Sequence, residues 1–107
     1  MAKYMIKASY NAQGIQGVMK AGGTARVAAV KQAIKKAGGK MESFYFAFGE
    51  TDAYVIVDMP DNASVAAIAA AVAGSGMLSK CETVVLLTAA DIDDAASKSV
   101  EYRAPGS

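Results

Sequence analysis

The chain has no histidine and no tryptophan, one cysteine and two prolines. Without histidine there is no Ser-His-Asp or Cys-His nucleophilic system, no imidazole metal cluster and no proximal haem ligand. The single cysteine, Cys81, builds neither a disulfide framework nor a thiolate metal site, and it fits a reducing compartment. No cofactor and no metal are therefore expected. Eleven Lys and Arg are dispersed against ten Asp and Glu, so with a net charge of +1 and no basic tract, no nucleic-acid partner is expected. No segment approaches the ~20 apolar residues of a membrane helix. The alanine-rich stretch from Val65 to Ala73 is too short, and the start, Met-Ala-Lys-Tyr-Met, lacks the apolar run of a signal peptide. A soluble, cytoplasmic protein is the expectation. The pairs Gly22-Gly23 and Gly38-Gly39 lack the spacing of a phosphate-binding or dinucleotide motif and read as helix stops.

What is present is apolar: 53% hydrophobic residues, a mean hydropathy of +0.23 and only 20% charged residues. Much of this is alanine, which fills helix interfaces but buries little area per residue. At 107 residues the chain suits one domain, residues 1–107, with a modest core and an irregular tail from about residue 100. Self-association would cover the surplus apolar surface.

Lys3 to Tyr10 alternates as a strand with one more polar side. Asn11 caps a short helix through Val18 and Met19, interrupted at Gly22-Gly23. Thr24 opens a second helix with Val27, Val30, Ile34 and Ala37 on one stripe. A hairpin follows, from about Lys40 to Phe48 and from Ala53 to Met59. It gathers five of the eight aromatics within eleven residues, Phe44 to Tyr54. Pro60-Asp61-Asn62 caps a third helix carrying Val65, Ile68, Ala69 and Val72 on one stripe. Ser79 to Leu87 is a β-branched last strand, and Thr88-Ala-Ala-Asp91 reads as a capping box opening a small helix to about Lys98. The order β-α-β-β-α-β plus a short C-terminal helix implies an α+β, ferredoxin-like fold. Its four-stranded antiparallel sheet would have order 4-1-3-2, with helices on one face.

A four-residue loop, Gly49 to Asp52, would pair Phe48 with Ala53, Phe46 with Val55 and Phe44 with Val57, placing the three phenylalanines beneath the helices. The open face would receive Ser43, Tyr45 and Ala47, then Tyr54, Ile56 and Asp58, then Lys3, Met5 and Lys7. Asp58 would lie near Lys3, and Tyr54 nearer Lys7. Tyr45, Tyr54, Ser43 and Lys3 are the pocket candidates on this face, and Asp58 and Lys7 are the groups a catalytic role would use. Arg26, placed near a helix start against the dipole, is a further candidate, held by a carboxylate such as Asp52 or Glu50 or by an anionic ligand. Asp52 is a pocket candidate beside Arg26, although it reads first as a turn residue. Cys81 reads as a small packed hydrophobe.

Tyr4, Gly14, Arg26, Gly38-Gly39, Tyr45, Gly49, Asp52, Pro60-Asp61 and Gly76, taken in order, resemble the GYD-domain family, small bacterial proteins of largely unassigned function. The chain departs from that pattern at Gly49-Glu50-Thr51-Asp52, where Thr51 stands in place of the tyrosine before the aspartate. The resemblance implies a dimeric α/β barrel in which two open sheet faces pack together, and it implies no established chemistry. Three functional readings follow from the residues. The first is a non-catalytic module, dimeric or larger, for a small apolar or aromatic ligand or a protein partner. The second, by fold analogy alone, is a cofactor-independent oxygenase or isomerase. The third is a building block of a larger assembly.

Overall fold

Period-two alternation in four segments and side-chain caps at three helices set the architecture. The computed structural model describes residues 1–107 as β1 (Ala2–Tyr10), α1 (Ala12–Ala21), α2 (Gly23–Lys36), β2 (Lys40–Phe46), β3 (Ala53–Met59), α3 (Asn62–Ala73), β4 (Leu78–Leu86) and α4 (Ala89–Ser97). All strand pairs are antiparallel, and the sheet order is β2-β3-β1-β4, the order expected of a ferredoxin-like fold. The caps are local. The Asn11 side chain accepts from the Gly14 N–H, Asp61 accepts from the Ser64 N–H, and Thr88 and Asp91 form a reciprocal capping box.

The core lies between the sheet and α2 and α3. Tyr4 and Ile6 of β1, Val55, Val57 and Met59 of β3, Ile34 of α2, and Val65 and Ile68 of α3 form one buried cluster. Ile34, Val57 and Met59 are completely enclosed. Tyr4 keeps its hydroxyl satisfied by donating to Asn62 Oδ1. Cys81 packs against the cluster from β4, and burial pushes its thiol above the ordinary value, which disfavours a reactive thiolate.

The hairpin differs from the four-residue reading. Phe46, not Phe48, pairs with Ala53, and Phe44 pairs with Val55, a shift of two residues that leaves each side chain on its expected face. The strand stops early because Ala47 N–H donates to Asp52 C=O (2.8 Å) while Asp52 N–H turns to Ala8 C=O on β1 (3.0 Å). The turn is thereby tied to a third strand. Phe48 is consequently fully exposed and Phe46 partly so, and of the three phenylalanines only Phe44 packs against the core. At Glu42 the ladder skips a residue between Met41 and Ser43, so Met41 turns toward the core opposite Val57 and Ser43 faces outward opposite Ile56.

No side chain from Leu87 onward is buried, and α4 has no buried face. The chain extends 55 × 33 × 22 Å, with a radius of gyration of 16.8 Å. A compact chain of this length would have a radius of about 13 Å. The C-terminal arm therefore projects away from the body.

Candidate functional site

The open sheet face is built by alternate residues of four strands. β1 contributes Lys3, Met5 and Lys7, and β3 places Asp58, Ile56 and Tyr54 beside them in that order. β2 adds Ser43 opposite Ile56 and Tyr45 opposite Tyr54. β4 adds Leu86, Val84 and Glu82 opposite Lys3, Met5 and Lys7. The expected set Lys3, Lys7, Ser43, Tyr45, Tyr54 and Asp58 thus does share one face. Its centre is apolar, with Met5, Ile56 and Val84 side by side and half-buried and the two tyrosines at one flank. Tyr45 is 70% exposed.

The charges form pairs around this centre. Lys3 Nζ lies 2.9 Å from Asp58 Oδ1 and 3.1 Å from Glu42 Oε2, and Lys7 Nζ lies 3.8 Å from Glu82 Oε2. Hydrogen bonds to Asp58 and then Glu42 hold the Lys3 ammonium above the ordinary lysine value, so it is a fixed cation. Asp58 and Lys7 are thus engaged in separate ion pairs, not converged on one reacting atom. The strand β4 was legible, but its contribution to this face and the Glu42 bulge were missed from sequence. The alternation Glu82-Val84-Leu86 carried the signal, whereas nothing in the pattern marks Glu42 as the extra residue.

Arg26 and Asp52 lie elsewhere. Asp52 accepts a hydrogen bond from the Tyr10 N–H through Oδ2 (2.9 Å) and ties the hairpin loop to the end of β1, which makes it a turn residue with a long-range anchor. Arg26 pairs with neither Asp52 nor Glu50. Glu50 instead reaches Lys80 at 3.9 Å, an exposed contact worth little. The carboxylate partner expected for Arg26 is therefore replaced by none: its Nε is buried without a hydrogen-bond partner. Arg26 lines a cavity of about 520 Å³ between α1, α2 and α3. A smaller hollow of about 490 Å³ sits at the end of the sheet face, where Lys3 and Asp58 meet Leu86 and the cap residues Thr88 and Asp91.

A family model described as the GYD domain matches residues 4–96, nearly the whole chain. The chain belongs to the GYD-domain family. The matched region takes in the sheet from Tyr4 onward, the three packed helices and most of α4, so the Arg26 cavity and all of the open face except Lys3 lie within this GYD domain. No curated protein and no solved structure matches it closely enough to carry an activity across. No helix is long and apolar enough to cross a membrane, and no group of three or more His, Cys, Asp or Glu side chains is placed to hold a metal ion.

Proposed function

We propose that this GYD domain is an oligomeric binding module whose copies close their open sheet faces on one another and enclose a small apolar or aromatic ligand. The observation that carries this reading is the apolar centre of that face: Met5, Ile56 and Val84, flanked by Tyr45 and Tyr54, stay only half-buried within their own chain. The exposed area, shared between this face and the projecting C-terminal arm, leaves room for a partner. The chain exposes 7272 Å², about 1,700 Å² more than a compact chain of its 11.0 kDa mass. That surplus is about twice what one partner contributes to a standard interface. The tyrosines suit an aromatic ligand, because each offers a ring face and a hydroxyl at low conformational cost.

Sedimentation and dye binding test the reading together. The wild-type chain is expected to sediment at twice its chain mass or more, and to enhance the fluorescence of the neutral dye N-phenyl-1-naphthylamine. Ile56→Glu places a carboxylate at the centre of the face without touching the core beneath, and is expected to give a folded monomer that leaves the dye dark. A wild-type chain that sediments as a monomer, or dye binding undiminished in Ile56→Glu, would overturn the proposal.

A further inference from the structure

The cavity on the helical side of the sheet points to a second ligand, of different chemistry. It is walled by the small residues of α1 and α2, notably Gly17, Ala21, Ala25 and Ala29, with Val72 of α3 and Leu78 of β4. Its volume, about 520 Å³, falls within the ~300–1,000 Å³ typical of small-molecule sites. The small side chains keep it open, and a β-carbon added at Gly17 would meet nothing within 4 Å.

Arg26 is the one charged residue in the lining, and no carboxylate accompanies it. Its Nε–H is buried and unpartnered, a state that native proteins rarely leave unexplained. Arg26 also stands in the first turn of α2, at the positive end of the helix dipole, where a cation is disfavoured unless an anion is near. The surroundings reinforce this. α1 and α2 carry Lys20, Arg26, Lys31, Lys35 and Lys36 with no acidic residue, and α3 carries no charge at all. Tyr10 also lines the cavity, and its backbone N–H is taken up by Asp52 Oδ2. The Ser75 hydroxyl is not free, because it donates to Val72 C=O at 2.7 Å.

We propose that this cavity binds a monocarboxylate with an apolar body. The carboxylate sits against the Arg26 guanidinium, the one cation in the lining, and the body lies along the alanine and glycine wall. A guanidinium matches the two oxygens of a carboxylate in charge and in planar donor geometry. One cation in an otherwise apolar lining selects a single anionic group, since a second carboxylate would be buried without a partner. The site is separate from the sheet face, so it stands or falls independently of the proposed dimer.

The chain has only two arginines, Arg26 and Arg103. Arg103 Nε–H donates to Ser107 C=O at 2.7 Å in the exposed tail, so it supplies an internal reference. In ¹H–¹⁵N spectra of the arginine Nε–H groups, titration with sodium octanoate is expected to shift the Arg26 signal to saturation while the Arg103 signal stays in place. Octanamide, which keeps the body but loses the charge, and acetate, which keeps the charge but loses the body, should each bind at least about tenfold more weakly. Arg26→Gln should abolish the preference for octanoate over octanamide. Gly17→Leu, whose β-carbon meets nothing within 4 Å and whose branch extends into the cavity wall, should block both. An Arg26 signal unmoved by millimolar octanoate, or moved equally by acetate, would overturn the assignment. So would equal affinity of the wild-type chain for octanoate and octanamide.

Discussion

Two glycines of one helix should respond oppositely to the same substitution. Gly14 and Gly17 both lie inside α1, where alanine is intrinsically the better helix former by about 0.5–1 kcal/mol. At Gly17 a β-carbon meets open space, so Gly17→Ala should deliver that gain. At Gly14 the same atom would overlap the Met77 carbonyl oxygen and lie 3.0 Å from its carbonyl carbon and 3.2 Å from its β-carbon. These neighbours cannot yield cheaply. The 76–77 segment is backbone held to the start of α1 by Asn11 N–H to Met77 C=O (3.0 Å) and Asn11 Nδ2–H to Gly76 C=O (2.6 Å). Relief therefore means lifting α1 off the start of β4. Overpacking costs about 1–3 kcal/mol, and loss of the two hydrogen bonds adds about 1 kcal/mol each. After subtracting the helix gain, Gly14→Ala should be destabilising by about 2–4 kcal/mol. In a domain of this size that lowers Tm by roughly 10–30 °C, whereas Gly17→Ala should raise it by roughly 2–8 °C. Urea titrations followed by far-UV circular dichroism, at one fixed protein concentration, measure both. A Gly14→Ala midpoint at or above that of the wild type would refute the packing of α1 against the β4 entry.

Three further predictions address pH and the C-terminal arm. Lys3 is held above the ordinary value of 10.5, so its contribution is complete below that pH and drains away as pH climbs through the higher folded value. The stability difference between wild type and Lys3→Met should therefore close at strongly alkaline pH in urea titrations, and a constant difference would contradict the ion pair. Asp61 has the opposite sign. Hydrogen bonding from the Ser64 hydroxyl and N–H holds it below 3.8, so its advantage over Asp61→Asn should be present at neutral pH and vanish as the solution is acidified past that range. Truncation after Leu87 removes no buried side chain. The shortened chain should keep the urea midpoint of the full chain. A folded-state loss of several kcal/mol would mean that the arm packs on its own body.

The parts of the fold visible in sequence were those set by local chemistry. β3 alternates Ala53, Val55, Val57 and Met59 inward with Tyr54, Ile56 and Asp58 outward, and its bounds and faces follow from that pattern alone. The Thr88–Asp91 capping box is equally local. The hairpin turn was not, because its length is decided by the Asp52 N–H bond to Ala8, more than forty residues away along the chain. A shift of two residues preserved the faces, so the candidate face survived a wrong loop, but Phe46 and Phe48 lost their core roles. The Glu42 bulge is likewise set by the partner strand. Arg26 was noticed from its position against the helix dipole. The cavity it lines is formed by four separated segments, around Tyr10, α1–α2, Val72 and Met77, which no local pattern brings together.

The two sides of the sheet differ in the charge they would offer an identical copy. In a two-fold interface a patch meets itself, so an unpaired cation near the axis faces its own twin. On the open face the lysines of the central strand are already neutralised within the chain, Lys3 by Asp58 and Glu42 and Lys7 by Glu82. Closing that face on itself brings apolar centre to apolar centre and leaves neither central-strand lysine without a carboxylate. The α1–α2 layer has the reverse property. Five cations with no acid among them repel a second copy of the same layer and draw in anions. Charge therefore separates the two roles, with like binding like across the sheet and a carboxylate received among the helices.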